Sequence, residues 1–131
     1  MDMNRNMELF KAMLIAGAGG FLGTCLRYLI GVFAKHWCSG TFPLGTFIVN
    51  ALGCFVIGLV YGLSEKSGML NGNHVLLLAT GFCGGFTTFS AFANEAWVLG
   101  SKGDMLLSVI YIAASVMVGI ACVWLGRVLL N

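Results

Sequence analysis

Four long apolar runs decide which solvent this chain folds in. They extend from about Leu9 to Ala34, Leu44 to Leu63, Val75 to Leu99 and Met105 to Leu130. About 20 helical residues cross the roughly 30 Å hydrocarbon core of a bilayer, so each run is long enough to span it. The runs are continuous and lack the period-2 alternation of barrel strands, which favours helices. Composition agrees. Hydrophobic residues make up 59% and charged residues 9%, against roughly 45–50% and about 25% in soluble domains. The mean hydropathy is +0.93. The predicted fold is an all-α membrane protein, with residues 1–131 forming a single four-helix transmembrane domain. A formal net charge of +2 offers no basic patch, so nucleic acid is excluded as a partner.

The connections are short. Lys35–Phe42 ends at Pro43, the only proline, which suits a helix start. Ser64–Asn73 is polar and rich in turn residues. Gly100–Asp104 is the tightest connection, so spans three and four are expected to be antiparallel neighbours. The first apolar run is longer than a signal-peptide core and reads as a span. Arg5, Lys11, Lys66 and Arg127 fall on the side of the N-terminus. Lys35 and Lys102 fall on the other, with Arg27 near that end of span one. The bias is weak by the positive-inside rule. It leaves open both a fixed topology and insertion in two orientations.

Nineteen glycines in 131 residues is about twice the average of roughly 7%, and glycine lets membrane helices approach closely. The five cysteines, Cys25, Cys38, Cys54, Cys83 and Cys122, are scattered singly. They read as small packing residues, not as a disulfide framework or a zinc site. His36 and His74 lie in or beside loops, and no hydrolase, P-loop or zinc-protease motif is present. An enzyme is not expected.

Polar groups inside a span are costly and need a reason. Span one places Gly20, Gly23, Thr24 and Arg27 on one face. Arg27 either snorkels to the interface or acts structurally or electrostatically at a pore mouth. Span two carries Thr46 and Asn50 on one stripe with Gly53 and Cys54. Asn50 either bonds helix to helix or lines a polar path. Span three holds Gly81-Phe82-Cys83-Gly84-Gly85-Phe86-Thr87-Thr88-Phe89-Ser90-Ala91-Phe92. Paired glycines and β-branched threonines disfavour a continuous helix through Gly84–Thr88. A break at membrane depth is tolerated where protein, water or an ion satisfies the freed carbonyls. Phe89 and Phe92 share a face; their ring edges carry the positive end of the quadrupole and can favour an anion. Glu95 follows, read as a cap-like group or as an interfacial partner for Arg27. Span four carries Ser108, Tyr111, Ser115, Gly119 and Cys122 at helical spacing, either as packing or as a second wall of a path.

Neutral donors such as Asn50, Thr46, Tyr111, Ser115 and Ser90 can replace an ion's hydration shell without trapping it behind a full countercharge, which is what conduction requires. A proton-coupled exporter of cationic compounds, a rival four-span reading, would need an acidic residue in span one. Only Glu8 stands there, at the edge. A structural subunit of a membrane assembly is a third reading.

Along nearly its whole length the chain resembles the Fluc (CrcB-type) fluoride channels. The resemblance is carried by Gly19-Gly20-Phe21-Leu22-Gly23 with Arg27-Tyr28, by Pro43-Leu44-Gly45-Thr46 with Val49-Asn50 and Gly53, and most specifically by Gly81–Phe92. It implies a dual-topology antiparallel homodimer with two anion pathways and a broken third span. It implies a structural Na+ between subunits, held by the backbone carbonyls of Gly84 and Thr87. Asn50, Phe89 and Phe92 would line the fluoride path, with Thr46 and Ser90 nearby and Tyr111 and Ser115 on the span-four face. Gly119 stands where the family often has a further hydroxyl. The implied location is a bacterial inner membrane, and the implied activity is passive export of cytoplasmic fluoride.

Overall fold

A computed structural model describes residues 2–130. Helix α1 runs over Met3–Trp37 and α2 over Leu44–Ser67. The third crossing is assembled from pieces: α3 (Gly72–Val75), a π-helix over Leu76–Cys83, α4 (Gly84–Phe86) and α5 (Phe89–Ser101). Helix α6 spans Met105–Leu129. Taking the third as Gly72–Ser101, four helices are long and apolar enough to cross a membrane.

The helices outrun the apolar runs that mark them. Helix α1 begins before Leu9 and takes in Arg5 and Glu8; α2 continues past Leu63 to Ser67. Arg, Glu, Met and Lys are good helix formers, so the helical backbone continues where the apolar run stops. Local chemistry sets the other ends. Pro43 sits at the N-cap of α2, and Gly68 closes it with φ +61, a left-handed turn that glycine adopts freely. Asn71 and His74 form a reciprocal cap on α3. Asn71 Oδ1 accepts from the His74 N–H at 3.0 Å, and His74 Nδ1 accepts from the Asn71 N–H at 3.3 Å. Asp104 caps α6 by accepting from the Leu107 N–H at 3.3 Å.

Helix α2 lies along α6, α1 along the π-helix and α4, and α5 against α6. Glycine sets the closest of these approaches. A Cβ on Gly19 would collide with the Leu77 carbonyl, and one on Gly23 with the Phe82 carbonyl. These two positions bring α1 down onto the third crossing backbone to backbone. The core is small: Ala96, Leu99 and Tyr111, with Phe42, Phe47, Phe92 and Leu107 packed around them. Most large apolar side chains of α1 and α6 face outward. Only 11–22% of the most apolar stretch of each crossing helix is buried within the subunit. The remaining apolar surface suits lipid or another chain.

Candidate functional site

The site is built around two residues that leave helical geometry. Thr87 has φ −88° and ψ 159°, and Thr88 has φ −149° and ψ 119°, both extended, between α4 and α5. Gly84–Phe86 remain helical, so the departure is narrower than the glycine and threonine content of Gly84–Thr88 suggests. It begins where two β-branched residues meet. The π-helix upstream is a second irregularity that the sequence did not mark. Hydrogen bonds of the i→i+5 type are rare outside functional regions.

Extended backbone within a bilayer needs partners from outside its own helix. Asn50, on α2, supplies two: its Oδ1 accepts from the Thr88 N–H at 2.8 Å, and its Nδ2 donates to the Thr88 carbonyl at 3.2 Å. Of the two readings of Asn50, the structure shows the helix-to-helix bond directly. Thr87 turns back, its N–H and Oγ1 donating to the Cys83 carbonyl at 2.9 and 2.8 Å. Thr88 Oγ1 accepts from the Ala91 N–H at 3.2 Å and caps α5, with Ser90 Oγ 3.4 Å away. From α1, Arg27 Nε donates to the Gly85 carbonyl at 3.0 Å, and Thr24 Oγ1 makes a longer contact to the same oxygen at 3.5 Å.

These bonds redirect two donors. A continuous helix would give the Thr88 N–H to the Gly84 carbonyl and the Ala91 N–H to the Thr87 carbonyl. Here the first goes to Asn50 and the second to Thr88 Oγ1. The carbonyls of Gly84 and Thr87 thus lose their helical donors, and both residues border one cavity. Backbone carbonyls are hard oxygen ligands of the kind alkali cations take. Among the described residues, no cluster of three His, Cys, Asp or Glu side chains offers a different metal site.

That cavity, of about 400 Å³, is lined by Asn50, Cys54, Thr88, Phe89, Phe92 and Ser115, among others. Phe89 is 79% exposed at its edge. Phe92 is 5.8 Å from the Phe89 ring and 5.1 Å from that of Tyr111, which is fully buried. The Tyr111 hydroxyl and Ser115 Oγ are buried without a hydrogen-bond partner. Buried polar atoms left open in this way mark where water or an ion completes a site. A second cleft of about 210 Å³ is bordered by Arg27, Lys35, Thr46 and Thr88. Thr88 borders both spaces. Lys35, assigned to a loop from the sequence, lies inside α1 about two turns beyond Arg27, so the continued helix carries both to this cleft.

The pairing of Arg27 with Glu95 does not form. Arg27 is engaged by Gly85, and Glu95 Oε1 instead accepts from Thr46 Oγ1 at 2.6 Å. Thr46 and Glu95 thereby join α2 to α5. Ser90 stands beside Thr88 and does not border the larger cavity. Gly119 faces Cys54, whose Sγ would lie 3.4 Å from a Cβ placed there. The thiol is what stands opposite the missing side chain.

Residues 14–127 match the family described as CrcB-like protein, Camphor Resistance (CrcB). The chain is 44% identical over 122 residues to the fluoride-specific ion channel FluC of Prosthecochloris aestuarii, covering 93% of this chain and 94% of the relative. It is 43% identical to the protein of that name from Chlorobium phaeobacteroides, covering 91% and 92% of the two chains. It is also 43% identical to the one from Rhizobium etli, covering 94% and 98%. These relatives are ion channels by name, not enzymes. With four helices suited to crossing a bilayer, the chain is a multi-pass membrane protein, and it belongs to the CrcB family.

Proposed function

We propose that this chain is a subunit of a passive, fluoride-selective channel that exports cytoplasmic fluoride across a bacterial inner membrane. The observation that carries the reading is the extended Thr87–Thr88 step at membrane depth. Asn50 fastens it, and it opens directly onto the exposed Phe89 ring. The names of the relatives supply the ion.

The chemistry follows from the groups present. Lys35, at the cleft that Arg27 and Thr88 also border, would raise the local concentration of small anions. The Asn50 amide, the Thr88 hydroxyl and Ser115 would replace part of the hydration shell. The Phe89 and Phe92 ring edges would stabilise a small anion weakly enough for it to leave. The Tyr111 hydroxyl, also buried without a partner and on the ring packed against Phe92, is a further donor.

The subunit acts as one half of an antiparallel dual-topology homodimer. The exposure of Phe89 and the breadth of outward apolar surface support a partner at the open face of the larger cavity. Two such copies would bring the Gly84 and Thr87 carbonyls of each chain toward a central Na+. Bound there, the ion supplies fixed positive charge near the anion lane without a side-chain cation. Hydrogen fluoride crosses lipid as the neutral acid and dissociates inside. An inside-negative potential then drives the anion out, at about 2.3 kcal/mol per charge per 100 mV.

Purified protein in liposomes tests the reading. Fluoride efflux well above chloride efflux, independent of a proton gradient, is expected. Proton-coupled uptake of an organic cation, or no flux of either anion, would overturn it.

A further inference from the structure

We propose that Arg27 is a positioning residue of the interrupted crossing and not a free charge at a pore mouth. With Thr24, it takes up the Gly85 carbonyl and so decides which carbonyls of the Gly84–Thr88 segment remain for a cation. The inference rests on the channel reading for its consequence, but not for its geometry.

Four carbonyls, those of Gly84, Gly85, Phe86 and Thr87, lose their ordinary helical donors at this point. The donors for Gly84 and Thr87 are diverted to Asn50 and to Thr88 Oγ1. The donors for Gly85 and Phe86 would be the Phe89 and Ser90 N–H groups, which lie beyond the extended step. Gly85 alone of the four has a cationic side chain assigned to it, Arg27 Nε at 3.0 Å. The contact is prepared by α1. Gly20, Thr24 and Arg27 lie on one face at i, i+4 and i+7. A Cβ on Gly85 would collide with the Gly20 carbonyl and come within 2.9 Å of Thr24 Oγ1. Glycine at 85 is therefore what lets α1 reach this oxygen.

The guanidinium also sits at the C-terminal end of the helical first half, where a positive charge meets the negative end of the peptide dipoles. An arginine so engaged is half-buried and bonded. Its geometry is that of a helix-end clamp. Without it, the Gly85 oxygen would be free to turn toward the same space as Gly84 and Thr87. The carbonyl set would then lose its definition.

The test uses the full chain in proteoliposomes, with Na+ titrated and fluoride flux followed. It is paired with the ¹³C resonance of the Gly85 carbonyl recorded in Na+-free buffer. Arg27→Ala should raise the Na+ needed for half-maximal flux about tenfold, the scale of one lost charge-assisted hydrogen bond. It should also shift the Gly85 resonance. Arg27→Gln, whose amide still donates, should recover part of both effects, and Thr24→Val should show a smaller version of each.

An unmoved Gly85 resonance would overturn the proposal. So would a flux loss equal in Arg27→Ala and Arg27→Gln at every Na+ concentration and growing as ionic strength falls, since that is the behaviour of a free charge. If Arg27→Ala does not assemble, Arg27→Gln and Thr24→Val carry the same comparison. Wild-type protein without fluoride flux, or with flux indifferent to Na+, would count against the function proposed above. The carbonyl resonance still decides the role of Arg27 in either case.

Discussion

Asn50 holds Thr88 with both ends of its amide, accepting from the N–H at 2.8 Å and donating to the carbonyl at 3.2 Å. One side chain on α2 thereby gives the Thr88 N–H the partner that no helix supplies and adds a second donor to the carbonyl that begins α5. Asn50→Ala would leave that N–H open inside the membrane, at a cost of about 1–3 kcal/mol. We expect a lowered unfolding midpoint in detergent together with depressed fluoride flux, in a subunit that still assembles. An unchanged midpoint would show that the bond is not what holds the segment.

Thr46 and Glu95 form another cross-helix contact at the site, at 2.6 Å. A double-mutant cycle with Thr46→Val and Glu95→Ala isolates it. The coupling is expected at about 1–2 kcal/mol, the range for a part-buried bond of this kind. Additive single effects would mean that the two residues act independently. Because Arg27 is not the partner of Glu95, a cycle between those two should show no comparable coupling.

The approach of α1 to the third crossing depends on missing side chains. Gly23→Ala places a methyl against the Phe82 carbonyl, whereas Gly17 has nothing within 4 Å of its Cβ position. Overpacking of this sort costs about 1–3 kcal/mol. Thermal unfolding should rank Gly23→Ala well below Gly17→Ala, and the reverse order would place α1 differently.

Phe89 and Phe92 separate function from packing. Phe89 is 79% exposed within the subunit, while Phe92 packs on Tyr111 at 5.1 Å between ring centres. Phe89→Ile should depress fluoride flux while changing subunit stability by no more than about 0.5 kcal/mol, as for a surface position. Phe92→Ala should lower both. Normal flux in Phe89→Ile would remove that ring from the path.

At the far end of α2, Arg127 Nη1 lies 2.9 Å from both oxygens of Glu65 and its guanidinium 5.5 Å from the Tyr61 ring centre. The pair is exposed, at 40% and 61% for the two side chains. Glu65→Gln should therefore cost less than about 1 kcal/mol in an unfolding experiment, and less still at high salt. A larger loss would indicate a drier environment than the subunit alone provides.

Much of the architecture was written in local composition. Hydropathy adds along consecutive residues, so four apolar runs specify the solvent and the number of crossings before any contact is known. The density of glycine and threonine between Gly81 and Phe92 likewise marks a poor helix, because each residue's preference acts on its own backbone. The same logic found Asn50 as a polar group needing a partner.

What the sequence left open was every question of which group answers which. Arg27 lies 58 residues from Gly85, and Thr46 lies 49 from Glu95. Those partners and the π-helix over Leu76–Cys83 depend on how packed helices are rotated and registered against one another. Hydropathy survives a helix turned about its axis by half a turn; a hydrogen bond of 3 Å does not. That difference in spatial tolerance is why the number of crossings was readable from the chain alone, and why the carbonyl chemistry between them was decided only by the tertiary structure.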